Sequence, residues 1–90
     1  MSADMGEVTL SLVGQAWTLA VRDREGSVLS FEQGLSPTKA FSCVAQFCDT
    51  GSIGNTTPIK LFVHGKALRE RWQVVDMLEA GKVHLAEYME

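Results

Sequence analysis

Apolar and polar residues alternate along three segments of the chain, the pattern of strands that bury one face. The first two segments are residues 8–13 and 17–22, and Gly14-Gln15 between them predicts a tight turn and an antiparallel hairpin. The third is residues 59–64, which ends at Gly65. These segments predict three strands of a β-sheet.

Helical spacing of apolar residues replaces this alternation in two other segments. Ser36-Pro37 predicts an N-cap followed by proline at the first helical position, and apolar residues then recur at helical spacing as far as Cys48. Residues 67–80 present a second apolar helical face, and Gly81 is well placed as its C-terminal cap. The sequence therefore predicts two helices.

Two further segments complete the predicted sheet. Residues 27–32 follow a charged turn and read as a strand that Gly34 breaks. Residues 82–90 form either a last strand, with Val83 and Leu85 facing inward, or a helical extension, and we favour the strand. The predicted fold class is α+β: one domain spanning the chain, with a mixed or antiparallel sheet of four to five strands and two helices.

Composition and charge narrow the class of partner. The 90 residues are 46% hydrophobic and 21% charged, which favours a single globular core over disorder. A net charge of −3 and the lack of clustered Lys or Arg argue against a nucleic-acid partner. The first residues have no basic leader, and no stretch approaches the ~18 apolar residues of a membrane span. We therefore expect a soluble cytoplasmic protein without a membrane partner.

Only four side chains are candidates for nucleophilic or acid–base chemistry, namely Cys43, Cys48, His64 and His84. The cysteines lie on the apolar helix, where we expect reduced, unbridged thiols without catalytic activity. The spacings lack the close pairs of a structural zinc site, and the glycine-rich residues 51–56 lack the lysine and helix of a phosphate loop. We predict no enzyme, metal or cofactor; an enzyme that uses His64 or His84 is kept as an alternative.

Two short segments resemble ubiquitin. Residues 61–68, Leu-Phe-Val-His-Gly-Lys-Ala-Leu, look like its strand-turn segment, and residues 82–86, Lys-Val-His-Leu-Ala, look like its last strand. The order of elements also resembles the β-grasp, or ubiquitin-like, fold. The chain departs from that family in an extra strand at residues 27–32, in a longer second helix, and in ending without a Gly-Gly tail. The resemblance implies a non-conjugated, binding member.

The alternation also predicts which surface binds. If Ile59, Leu61, Val63, Val83 and Leu85 face the core, the outward residues of the last two strands share the opposite face. Those candidate binding residues are Lys60, Phe62, His64, His84, Ala86 and Tyr88. The resemblance implies the same surface, because the matching face is the principal recognition surface of ubiquitin-like proteins.

These patterns predict a small non-catalytic protein-binding module, which acts as a regulator, adaptor or inhibitor of a larger protein. The core of such a module is expected to contain both tryptophans, Trp17 and Trp72. One alternative is a structural subunit that forms a homodimer through its sheet edge or aromatic face. Another is a phage-encoded or immunity-type inhibitor, by association with compact acidic domains.

Overall fold

A computed structural model describes residues 6–23, 25–51, 53–68 and 72–89, and of residues 82 and 84 it describes the backbone only. The chain is an α+β protein with a mixed sheet, which confirms the predicted fold class. In chain order the elements are β1 (Glu7–Val13), β2 (Ala16–Arg22), β3 (Val28–Leu35), α1 (Pro37–Asp49), β4 (Pro58–Val63), β5 (Lys66–Ala67), β6 (Trp72–Gln73), α2 (Val74–Asp76), a π-helical turn (Met77–Gly81) and α3 (Lys82–Glu87).

The strands pair in the order β3-β2-β1-β4-β5, and β6 also pairs with β4. The central pair, β1 and β4, is parallel and places Leu10 beside Leu61, whereas every other pair is antiparallel. The β1–β2 hairpin turns through Gly14-Gln15, as predicted, and Gly14 supplies the positive φ of 65° that this tight turn requires.

Helix α1 begins where the sequence predicts. Ser36 is the N-cap, and its Oγ accepts a hydrogen bond from the backbone N–H of Lys39 at 3.1 Å. Pro37 occupies the first helical position, where its missing N–H is not needed. The buried face of the helix packs against β2 and β3, so α1 covers one face of the sheet.

Strand β3 is longer than predicted because Gly34 lies within it and does not end it. Leu35 pairs with Trp17 and Glu32 pairs with Leu19, so β3 has one residue more than β2 between these two pairs. Such a bulge requires a residue that tolerates unusual dihedral angles, and Gly34 has a φ of 70°. The glycine thus bends a continuing strand.

The prediction of a helix over residues 67–80 is wrong in its first part. Lys66–Ala67 and Trp72–Gln73 are short strands on β4, and the helix that follows them begins at Val74; residues 69–71 lie outside the described residues. The cause of the error is the spacing: Leu68 and Trp72 are four residues apart, which places side chains on one face in a strand as well as in a helix. Asp76 then helps to start the helix by accepting the backbone N–H of Gln73 at 2.9 Å.

The predicted last strand is also wrong, since residues 82–87 form helix α3. Gly81 is not a cap but lies inside the continuous helical segment, with helical φ and ψ of −60° and −35°. It is buried against Met77, so the missing side chain makes room for packing. Val83, predicted to be in the core, is 62% exposed, whereas Leu85 is buried as predicted.

The hydrophobic core lies between one face of the sheet and the helices. Trp17 is fully buried as predicted, and Trp72 is partly buried at the edge of the same cluster. Ile53 joins the core from the loop between α1 and β4, which no periodic pattern indicated. Thr57 anchors this loop: its Oγ1 accepts the N–H of Gly54 at 2.9 Å.

Candidate binding surface

The helices cover only one face of the sheet. Side chains that alternate toward them, such as Leu10 and Leu61, are buried, whereas their neighbours Ser11 and Phe62 keep part of their surface in water. Within the described ranges no helix packs on the second face, which we call the open face. Its members on the four long strands are Glu7, Thr9, Ser11, Val13, Ala16, Thr18, Ala20, Arg22, Val28, Phe31, Pro58, Lys60 and Phe62.

Two of the predicted binding residues lie together on the open face. Lys60 is exposed and Phe62 is partly buried, and both project from β4 opposite the buried Leu61. The pairing of β1 with β4 places Ser11 beside Phe62, so the ring has only a short side chain next to it on that side. The alternation of β4 therefore places Lys60 and Phe62 on the face that the sequence predicted.

His64 is near these residues but belongs to a turn. It has a φ of 52° and Gly65 has a φ of 85°, as in a two-residue turn between antiparallel strands. The His64 backbone N–H donates to the Leu12 carbonyl oxygen at 3.1 Å, which fixes the turn to β1. The turn therefore determines the position of the exposed His64 side chain, which does not follow the alternation of strand β4.

The other predicted binding residues lie in the opposite layer of the molecule, because residues 82–87 are helical. Ala86 is exposed on α3, and the Tyr88 ring packs edge-to-face on Trp17 with a centroid separation of 6.4 Å. Trp17 is a core residue, so Tyr88 lies on the covered side of the sheet. The side chain of His84 is outside the described residues. The predicted set of six is thus not brought together on one face.

The open face carries an ion-pair cluster at one end. The Glu7 carboxylate lies 3.0 Å from Lys60 Nζ and 4.0 Å from Arg22 Nη1. The exposed fraction of the side chain is 31% for Glu7, 61% for Lys60 and 43% for Arg22, so solvent screens both interactions. Among the described charged residues of this face, the two cations exceed the one carboxylate by a net charge of +1, although the chain has a net charge of −3.

Sequence reasoning missed the apolar residues of β3. Val28, Leu29 and Phe31 are exposed, and Phe31 retains 59% of its surface. Strict alternation would place Val28 and Phe31 on opposite faces, but an irregular register near Leu29 places both on the open face, opposite Arg22 and Ala20. These apolar residues can be seen in the sequence, whereas the bulge that places Val28 and Phe31 on one face cannot.

The two thiols lie away from this surface. Cys43 lies on the buried face of α1, and its Sγ donates to Glu32 Oε2 at 3.5 Å. Cys48, near the end of the same helix, contacts Asn55 Oδ1 at 3.6 Å. Burial, and next the negative charge of Glu32, raise the pKa of the Cys43 thiol. A raised pKa disfavours the reactive thiolate, so this environment is that of a packed thiol and not of an activated nucleophile.

The described residues contain no group of three or more metal-ligating side chains close together. Their helices are likewise too short or too polar to cross a bilayer. Comparison of the chain with protein-family models, curated proteins and solved structures finds no match. The open face is therefore the feature of the described residues from which a function can be inferred.

Proposed function

We propose that this protein is a small non-catalytic binding module that regulates, adapts or inhibits a larger protein. The observation that carries the proposal is the open face: one side of the sheet has exposed and partly exposed aromatic side chains, Phe31 and Phe62, and no described helix covers it. Exposed aromatic side chains on an uncovered face are typical of interaction sites in proteins that otherwise bury such residues.

The composition of the face also supports a protein partner. Aromatic and arginine side chains are enriched at the centres of protein interfaces, and Arg22 lies on the same face as the two phenylalanines. The net charge of +1 is small compared with the clustered cations that phosphate backbones require. Of the residues predicted from the sequence, Lys60 and Phe62 belong to this proposed site, and His64 lies at its border.

The test begins with affinity capture from the source cell, using the whole chain as bait. The captured protein is then titrated with the wild type and with the variants Phe62→Ala and Val83→Ala. We expect Phe62→Ala to weaken binding by ~1 kcal/mol or more, as truncation of a buried interface aromatic does. Val83→Ala is the matched control, because Val83 is an exposed apolar residue on the opposite layer.

If both variants lose binding, or if both bind as well as the wild type, the proposed site is wrong. A captured enzyme whose activity falls when the module binds would assign the protein to the inhibitors, including those of the immunity type. A captured protein that the module links to a second component would assign it to the adaptors.

A structural homodimer is the second candidate, and edge strand β3 favours it. Among the described strands β3 pairs only with β2, so its outer edge is free to add a strand, and it carries the exposed Leu29. Sedimentation equilibrium distinguishes the candidates: a mass near twice 9.8 kDa, reduced to one chain by Leu29→Lys, would favour the homodimer. A single chain at all concentrations would exclude it.

A further inference from the structure

The open face has the shape of a trough that runs along its strands. Across one row the register places Phe31, Ala20, Thr9 and Lys60 side by side on β3, β2, β1 and β4. In this row the two central residues, on β2 and β1, are short, and the residues that flank them, on β3 and β4, are long. Beyond the end where Glu7 and Arg22 lie, the open-face residues of these two strands are small, so they form a low floor between Phe31 on β3 and Phe62 on β4.

The spacing between the two flanking strands is of the order of one helix diameter. The strand order places β3 and β4 three strand spacings apart, which is about 14 Å. An α-helix with its side chains has a diameter of about 10–12 Å. An extended peptide is narrower and would gain no backbone hydrogen bonds on a sheet face, because such bonds form only at an edge strand.

The charges give the trough a direction. Glu7, Arg22 and Lys60 lie at one end and leave a net charge of +1 there, in a chain whose net charge is −3. Lys60 remains 61% exposed despite its contact with Glu7, so it is available to a second carboxylate. The far end of β1 offers Val13, which is exposed and apolar.

We infer that the open face binds an amphipathic helix of a partner protein, with its apolar stripe against Phe31 and Phe62 and with acidic residues directed at Lys60 and Arg22. This inference rests on the proposed function and adds to it the kind of partner. The helix would be recognised by apolar residues at i, i+3, i+4 and i+7, and by carboxylates flanking them at one end.

The experiment is a selection from displayed peptides, with the whole protein as bait. One library contains helical peptides of ~20 residues with that apolar stripe and with Glu, Lys, Gln or Ala at the flanking positions. A second library has the same composition with a central proline that breaks the helix. We expect binders only from the first library, enriched in Glu at one end.

Variants then locate the binding. The selected peptide is expected to bind Lys60→Glu and Phe31→Ala at least ~10-fold more weakly than wild type, and to bind Val83→Ala equally well. Amide chemical shifts of Thr9, Ser11 and Thr18 should change most. Enrichment of Lys-rich or proline-interrupted peptides, or shifts confined to the outer edge of β3, would overturn the inference.

Two further outcomes keep this inference separate from the proposed function. Saturable binding of an oligo-dT single strand to the same face would assign it to nucleic acid and overturn the helix. If no helical peptide is enriched while Phe62→Ala still abolishes binding of the captured protein, the binding function stands and the helical partner is excluded. If the captured protein also binds Phe62→Ala normally, both fail.

Discussion

The two faces of the sheet are formed by the same strands but have opposite surroundings. On the covered face Leu10, Leu19 and Leu61 have no more than 1% of their surface in water. On the open face Phe31 has 59% of its surface in water, and the next two residues of its row, Ala20 and Thr9, are short. One face thus holds the fold together, and under the proposed function the other contacts a partner.

The faces differ in residue type as well as in packing: the covered residues of β1, β2 and β4 are apolar, whereas the open face of the same strands carries Glu, Arg, Lys, Ser and Thr side chains between its apolar ones. Both carry apolar side chains, but only those under α1 and α3 form part of the core. Fully burying one such side chain contributes roughly 1.5–3 kcal/mol to the free energy of unfolding, and an exposed one contributes little. The following experiments test this division, beginning with the one of largest expected effect.

The largest effect is expected for Leu61→Ala, which removes a buried side chain from the covered face. The free energy of unfolding should fall by about 2–5 kcal/mol, through lost burial and the cavity that remains. Phe62→Ala, at the next position of β4, should cost about 1 kcal/mol or less, since the ring is only partly buried. Urea denaturation curves of both variants measure the difference. Equal losses would show that the open face is packed as tightly as the covered one.

The next largest effect is expected at Gly81, which packs against Met77 in the helical layer that covers the sheet. A methyl group at Gly81 would overlap the Met77 sulfur and lie 3.1 Å from Met77 Cγ, and Met77 is fully buried. Gly81→Ala should therefore lower stability by roughly 1–3 kcal/mol, although alanine is the better helix former. Thermal unfolding tests the sign of this change. Glu79→Ala, at an exposed position of the same turn, is the control and should change stability by less than about 0.5 kcal/mol.

The two cysteines test how well α1 seals the covered face. Cys43 is buried and its pKa is raised, so in the folded protein iodoacetamide should alkylate it at least ~10-fold more slowly than the partly exposed Cys48. Mass spectrometry after timed labelling gives both rates. Similar rates would mean that α1 opens readily.

The raised pKa of Cys43 also predicts a pH dependence. The folded protein holds the thiol proton more tightly than the unfolded chain, so the unfolded chain loses it first as the pH rises. The resulting contribution to stability is complete below the usual pKa of a thiol and declines as the pH rises through the raised value. Denaturation of Cys43→Ala should show less of this alkaline decline than the wild type.

The smallest effect is expected at the ion pairs of the open face. Lys60→Gln removes the 3.0 Å contact with Glu7 and should change stability by less than about 1 kcal/mol, because the pair is exposed to solvent. The difference from wild type should vanish in ~1 M salt, which screens such charges. Lys66→Gln, at an exposed site on β5, is the control. A loss that persists in high salt would indicate a structural role for Lys60.

The sequence by itself determined the elements whose signals are local. Alternation located β1, β2 and β4, because one buried face imposes a period of two on a strand. Ser36 and Pro37 located the start of α1, because capping depends on residues within one turn. The same alternation predicted that Lys60 and Phe62 face away from the core, as they do.

Tertiary structure decided the rest, because the local signals there fit two conformations. Leu68 and Trp72 suit a strand and a helix equally, and pairing with β4 makes Trp72–Gln73 a strand. Residues 82–87 alternate weakly, but they continue an existing helix without a new nucleation cost, and Leu85 reaches the core from there. That choice moved Ala86 and Tyr88 away from Phe62, and the bulge of β3 placed Phe31 on the open face instead. Contacts between distant segments, which no short window of sequence contains, thus decided the make-up of the candidate surface.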